Sequence, residues 1–557
     1  MFPLFKWKHY TKISDLSIDV TAKGHVRISL WGINRKNDDV AAFESPVLLK
    51  TVENKSDETG VTNILTTSDF SSLPDFIYLT LATEEAAVVE DISFSTSTAR
   101  NTEINIACCF CTYKREDDIR RNVQNLLSGI VRCEDSCLKD RLHIYIADNA
   151  HTLPLDLYDK ELPVHIFHNR NYGGSGGFTR CMIEACFRNQ GKPFSHIILM
   201  DDDAVILLEV VERTGALLGI LKEEYTSHMV GGGLIAEESP ALQVENGVLL
   251  SLDGKPSVLC GCNRNLTHLD SVLRNEVSPE TEVNYNGWWY TCIPSHLITP
   301  NNLPLPLFLH FDDQEYGYRH RKFIRMNGIV AWHPRTNGIE YKRPSICYYN
   351  TRNVSIVRAK YVSPEATALK AKQVFSSTIG TAVNYSFPIA FYRSLGLRHF
   401  YRGIDFFKSL DPEAWNRQLA QLMPLEPCQV SAEELRDIRP TTHRECSSGP
   451  DRSIGAKLRR YLNWMIPAYK GRVVYDNDDL NWNEVDLFGA KEVCIVDRTT
   501  GKGFSYRKSY RQLFRAIGMA FCDAMMIARC HKRVYKEWQD SVAELSTYAF
   551  WKEYLGI

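Results

Sequence analysis

Ser195-His-Ile-Ile-Leu-Met-Asp201-Asp202-Asp203 is the stretch whose reading decides the fold. An apolar run, Ile197 to Met200, ends in three consecutive carboxylates. A short apolar run bounded by polar residues reads as a buried strand. Like charges this close resist joint ionisation in a dry site, so the acids are not core. Either they splay into solvent as an acidic turn, or something cationic sits among them. Carboxylates at positions i and i+2 suit a divalent ion with hard oxygen ligands.

The surrounding text repeats this pattern. Ile104-Asn-Ile-Ala-Cys-Cys-Phe110 is another apolar run and leads into Cys111-Thr-Tyr-Lys-Arg115. Ile119, Val123, Leu126 and Leu127 then recur at helical spacing. Leu142-His-Ile-Tyr-Ile-Ala ends at Asp148-Asn149, and Val164-His-Ile-Phe-His ends at Asn169-Arg-Asn171-Tyr-Gly173-Gly-Ser-Gly-Gly177. A helix is expected from Cys181 to Phe187. Strands alternating with helices imply a parallel α/β sheet, with ligands beyond the carboxyl ends of the strands. Those ends carry Arg115, Asp148, Asn171 with Gly173 and Gly174, and the acidic triplet. The glycine-rich segment reads as a loop that lets backbone approach an anion, or as a flexible turn; it matches neither the phosphate-loop lysine motif nor the dinucleotide spacing.

Further on, Met229-Val-Gly-Gly-Gly-Leu-Ile reads as a strand, followed by Gln243-Val-Glu245. Trp288-Trp289 reads as part of a strand whose neighbours face opposite sides, one in the core and the other either lining a pocket that suits a sugar ring or packed as plain core. Leu307-Phe-Leu-His310-Phe runs into Asp312-Asp313-Gln-Glu315, where a carboxylate off the metal could take a proton from an attacking hydroxyl. Gly328-Ile-Val-Ala-Trp332-His333 is a last strand ending in an imidazole, a common third ligand beside two carboxylates.

Length and composition bound the rest. At 557 residues the chain holds several domains. A hydrophobic fraction of 44%, a charged fraction of 24% and a net charge of −2 fit a globular protein with no basic field for nucleic acid. The sixteen cysteines are scattered, with no paired CxxC motifs, and read as reduced thiols. There is no signal-peptide core at the N-terminus and no run of about 18 apolar residues. Residues 1–100 alternate apolar and polar, as in Val26 to Trp31 and Phe76 to Leu81, and read as a β-sandwich or barrel. Residues 101–345 form the α/β unit. Residues 346–557 read as mostly helical: Ala366 to Val374, Pro412 to Met423 and a long helix from Ser509 to Trp538, with Pro424 to Pro450 as a linker. Ile454 to Pro467 is both basic and apolar, suiting either an anionic membrane face or packing within the protein.

Together these motifs resemble an inverting family 2 glycosyltransferase with a GT-A (Rossmann-like nucleotide-diphospho-sugar transferase) core. They most resemble bacterial galactofuranosyltransferases that polymerise galactofuranose from its UDP sugar. The resemblance spans most of the chain. It implies that Arg115, Asp148, Asn171, Gly173, Gly174 and Asp202 contact the donor, and that Asp201, Asp203 and His333 hold Mn²⁺ or Mg²⁺. It implies Asp313 as catalytic base, with Asp312 the alternative of the pair. Trp288, Trp289 and Glu245 would shape the sugar and acceptor pocket. The implied partners are a UDP-sugar and a glycan or polyprenyl-diphosphate-linked glycan in envelope polysaccharide synthesis. The expected setting is cytoplasmic, with peripheral membrane contact and homo-oligomer formation. Open alternatives are a rhamnosyl- or other hexosyltransferase, a glycan- or lipid-binding scaffold without activity, and a metal-dependent nucleotidyl or phosphoryl transferase.

Overall fold

The computed structural model describes residues 2–557 except 37–41, 56–57, 254, 278–282, 335–343, 366–370, 437–453, 477–486 and 498–499. Its centre is a nine-stranded mixed sheet. We number its strands β1 (Ile106–Thr112), β2 (Leu142–Asp148), β3 (Val164–His168), β4 (His196–Asp201), β5 (Met229–Ala236), β6 (Leu242–Glu245), β7 (Arg264–Asn265), β8 (Tyr290–Pro294) and β9 (Phe323–His333). The spatial order is β3-β2-β1-β4-β8-β5-β6-β7, with β9 parallel to β5. Strands β3, β2, β1 and β4 are mutually parallel, and β8 runs antiparallel to both β4 and β5.

Register explains why the polar strand ends converge. Thr112 lies opposite Asp148, Asp148 opposite His168, and Cys111 opposite Asp201. The central strands read as unbroken apolar runs because both faces are covered. One face packs helix α1 (Glu116–Leu126) through Ile119, Val123 and Leu126 onto Ile106, Cys108 and Phe110. The other packs α2 (Gly173–Phe187) through Cys181, Met182 and Ile183 onto Ala107, Cys109 and Leu199. Helix α3 (Leu208–Ile220) completes the first face.

Residues before 100 form two antiparallel sheets, one of four strands and one of three, that share a core of Leu16, Ile18, Val20, Ile28, Leu30 and Ile64. Val26–Ile33 pairs with Phe76–Ala82, the two alternating stretches singled out in the sequence. Lys6 is buried and donates to the carbonyl of Arg325 at 2.7 Å, which ties this part to the central sheet.

Beyond 343 the chain begins with α5 (Pro344–Tyr361). Helices Ala371–Val383, Phe387–Tyr401 and Pro412–Leu422 follow, and Tyr510–Ser541 runs against the first three helices of this region. Of the expected Ala366 to Val374 helix, residues 366–370 lie outside those described. This region is not helical alone: Lys470–Asp476, Ala490–Val496, Lys502–Arg507 and Glu426–Gln429 make a four-stranded sheet. The polar stretch from Pro424 accordingly contributes strand Glu426–Gln429 and helix Ala432–Arg436. The strand pairs with residues more than seventy positions away, a partner that local pattern does not disclose. Among the described residues no helix is long and apolar enough to cross a membrane, and the described cysteines form no disulfide.

Candidate active site

The acidic triplet sits where β4 ends. Only Asp201 belongs to the strand; Asp202 and Asp203 turn away from it. Asn122 of α1 fixes that turn by donating to the carbonyls of Asp202 (2.9 Å) and Ala204 (3.0 Å). The next residue, Val205, exchanges backbone hydrogen bonds with Trp332 at 2.7 and 3.0 Å. This bridge brings the end of β9 over the triplet, so that His333 Nε2 lies 3.1 Å from Asp203 and 3.8 Å from Asp201. Arg115, in the loop between β1 and α1, pairs with Asp202 at 3.0 Å and also with Asp203.

Asp201, Asp203 and His333 place one ligand atom each within 4.8 Å of one another. The His333 Nδ1 lies 2.8 Å from the Pro334 carbonyl, so with an ion between the carboxylates donation there would leave the Nε2 lone pair for the ion. Burial pushes Asp201 up to about 7 against the pull of His333. Burial alone would lower His333; the hydrogen bond to Asp203 and the two carboxylates lift it instead, to about 9. Hard oxygens with one imidazole, in an excess of negative charge, are the donor set of a divalent cation, which would reverse both shifts.

The second acidic pair opens helix α4 (Asp312–His320). Its approach is unusual: Phe308, His310 and Phe311 all have left-handed backbone, with φ of 72°, 61° and 70°. Non-glycine residues hold such conformations only where the surroundings dictate them. Here Asn353 Nδ2 reaches the carbonyls of Leu307 (3.1 Å), Leu309 (2.8 Å) and His310 (2.9 Å), and Arg352 donates to Leu307 at 2.9 Å. The same helix, α5, holds α4 from behind, because Lys360 and Tyr361 both donate to the fully buried Glu315.

Burial raises both Asp312 and Asp313 above the usual carboxylate range. Asp313 is the less buried and feels the charges of Asp201 and Glu245 as well as Asp312. It therefore lies within electrostatic reach of the triplet. Asp312 lies near α2, where a Cβ on Gly174 would come within 3.5 Å of its Oδ2. Glu245, at the end of β6, is buried with no hydrogen-bond partner for Oε1 among the described residues, and burial pushes it up to about 7.

The glycines belong to a helix, not a loop. Helix α2 starts at Gly173, and close approach explains them: a Cβ on Gly173 (φ 69°) would meet the Phe308 carbonyl oxygen at 1.9 Å, and one on Gly177 the Cys111 sulfur at 2.2 Å. Asn171 Oδ1 accepts from the Gly173 amide at 3.1 Å, so it shapes the start of α2. Asn149, quoted in sequence only as Asp148's neighbour, donates to the Gly173 carbonyl at 3.1 Å and is itself bonded by Asn169 at 2.9 Å.

Asp148 has a structural role, and the strand reading of the two tryptophans needs correcting. Asp148 is 0% exposed, and its oxygens accept from the amides of Ala150 (2.9 Å) and Leu153 (2.8 Å). It anchors the loop after β2. Trp288 and Trp289 lie in a turn before β8, not in a strand. They do face opposite sides, but Trp288 is core, edge-on to Phe178 at 5.3 Å and to Tyr316 at 6.3 Å. Trp289 is half-buried and donates to the Gly232 carbonyl at 2.9 Å. The residues that sequence reasoning missed are Arg352, Asn353 and Glu315: a buried cation, amide and acid inside helical text, which link the turn and α4 to α5 more than forty residues on.

No family model matches the chain. Among curated proteins it is similar to galactofuranosyltransferase GlfT2 of Mycolicibacterium smegmatis, at 21% identity over 595 aligned positions that take in 100% of this chain and 87% of that one. It is similar also to galactofuranosyltransferase GlfT2 of Mycobacterium tuberculosis, at 23% identity over 409 positions, 69% of this chain and 62% of that one. Among solved structures, the catalytic domain of Drosophila β1,4-galactosyltransferase 7 in complex with xylobiose covers 41% of this chain and 67% of its own, at 8% identity and a TM-score of 0.22. A likeness that weak carries no argument.

Proposed function

We propose that this chain is an inverting glycosyltransferase that moves galactofuranose from UDP-galactofuranose to a hydroxyl of a lipid-linked glycan in cell-envelope galactan synthesis. The observation that carries the reading is the convergence of Asp201, Asp203 and His333 with Asp313 and Glu245 at one edge of the central sheet. Similarity over the whole chain to a protein named galactofuranosyltransferase supports the sugar. In this reading β3-β2-β1-β4 is the nucleotide half of a GT-A core within residues 101–345, flanked by a β-domain (1–100) and a C-terminal domain (346–557). The enzyme works in the cytoplasm, in contact with the membrane face, as a homo-oligomer.

Asp201, Asp203 and His333 would hold Mn²⁺ or Mg²⁺, which when bound neutralises charge on a departing nucleoside diphosphate. The chain's own residues do the rest. Arg115 adds a fixed positive charge beside the leaving group and is kept in place by Asp202. The start of α2, with Gly174 bare of a side chain and the Gly173 amide held by Asn171, offers the next backbone amides to donor oxygens. Trp289 and Glu245 border the sugar. Asp313 takes the acceptor hydroxyl proton as that oxygen attacks the anomeric carbon opposite the leaving UDP; its raised pKa makes it a better proton acceptor than an ordinary carboxylate. Asp312 is held against α2 and sets the pose of Asp313.

The test is Asp313→Asn. Transfer should fall by roughly 10²–10⁴-fold with UDP binding retained. Near-normal turnover in a folded variant, with Asp312→Asn inactive, would move the base to Asp312. Normal turnover in both would remove the proposed mechanism.

A further inference from the structure

An open cavity of about 640 Å³ lies outside the acidic edge, lined by α5, helices Ala371–Val383 and Phe387–Tyr401, and Asp523 of the long C-terminal helix. That volume is in the range of pockets that bind small molecules. One wall is Phe311, the left-handed residue directly before Asp312. The cavity therefore begins one residue from the acid pair.

Its lining is rich in neutral hydrogen-bonding groups: Asn350, Thr351, Ser355, Ser377, Thr378 and Thr381. Val374 and Leu397 supply apolar surface between them. Three charged side chains also line it: Asp523, Arg393 and Arg358. Asp523 is bonded by Ser394 and by Arg398 at 2.6 Å, and Arg393 donates to Thr381 at 3.3 Å. Arg358 differs: its Nε is buried with no hydrogen-bond partner among the described residues. A buried donor without a partner is costly, and a ligand oxygen would satisfy it. Hydroxyls, amides and guanidinium donors beside an aromatic wall suit a polyhydroxylated chain, whose oxygens accept from them while a sugar face lies on the ring.

We propose that this cavity holds the non-reacting sugars of the carbohydrate acceptor while its terminal hydroxyl lies at the Asp312–Asp313 pair. The inference rests on the glycosyl-transfer reading and adds a second subsite to it. Longer acceptors reach the cavity; the shortest do not. Ser377 is exposed on its wall, so Ser377→Trp fills the space without touching the core.

The experiment compares a disaccharide and a tetrasaccharide of galactofuranose as acceptors for wild type, Ser377→Trp and Arg358→Met, with melting curves to confirm folding. Ser377→Trp should raise the tetrasaccharide KM roughly tenfold, leaving the disaccharide KM and the donor KM within about twofold. Arg358→Met should move the tetrasaccharide KM in the same direction. A folded Ser377→Trp protein that uses both acceptors as wild type does, or loses both equally, overturns the subsite while leaving glycosyl transfer intact. A wild type that transfers to neither acceptor overturns the functional reading, and the subsite with it.

Discussion

Asn353→Ala removes the clamp on the turn that presents the acid pair. The side-chain amide of Asn353 serves three carbonyls, those of Leu307, Leu309 and His310, at 2.8–3.1 Å, all at or next to left-handed residues. A typical hydrogen bond contributes about 0.5–1.5 kcal/mol net, and a buried carbonyl left without a partner costs about 1–3 kcal/mol. Holding Phe308, His310 and Phe311 at positive φ costs on the order of 1–3 kcal/mol each. The clamp and the strain are thus of similar size. Without Asn353 the strain wins locally, and the turn relaxes toward ordinary backbone. Glu315, bonded to Lys360 and Tyr361 on the same helix, still holds the rest of α4, so the loss stays in the turn. A shift of about 1 Å in a reacting group costs up to about 10²-fold in rate. The assay is steady-state kinetics with donor and acceptor varied separately, beside thermal melting. The expected result is kcat lower by roughly 10–100-fold, donor KM within about twofold and a modestly lower Tm. A folded variant with unchanged kcat would show that the turn is fixed without Asn353.

Glu315 makes acid stability testable. Burial alone would raise its pKa, but the charges of Arg319 and Lys360 and their hydrogen bonds bring it down to about 2, from an ordinary 4.5. A carboxylate depressed on folding stabilises the protein above its unfolded pKa, and that stability is lost as pH falls from about 4.5 toward 2. The shift corresponds to about 3 kcal/mol. Glu315→Gln should therefore lower Tm at neutral pH and flatten its fall between pH 4.5 and 2.5; an unchanged acid limb would contradict this. For Asp148→Asn, the amides of Ala150 and Leu153 lose their charged acceptor. Tm should drop by a few degrees with donor KM within about twofold, and a selective rise in donor KM would mark Asp148 as a donor contact.

The strands of the central sheet were legible because each is an apolar run cut off by polar residues, and register then carries those residues to one edge. The start of α2 was not. Glycines disfavour helix by propensity, yet here Gly173 and Gly177 are needed for the close passage of Phe308 and Cys111. Trp288 and Trp289 were misplaced because an aromatic pair beside Tyr290 looks like strand, whereas the chain turns to put Trp288 against Phe178 and Trp289 against Gly232. Asp148 looked like its neighbours at the strand ends; only the folded loop shows both oxygens occupied. The clamp from Asn353 spans more than forty residues of sequence and leaves no local trace. In each case local pattern located the element, and long-range packing decided what its polar groups do.

The most direct measurement of the central claim is transfer from UDP-galactofuranose, compared with UDP-galactopyranose and dTDP-rhamnose, onto a short galactofuranoside acceptor with Mn²⁺ present, read by product mass and released nucleotide. The account calls for one added hexose from UDP-galactofuranose alone, abolished by chelator and by Asp201→Ala. Transfer from another donor instead, or full activity in chelator, would contradict it.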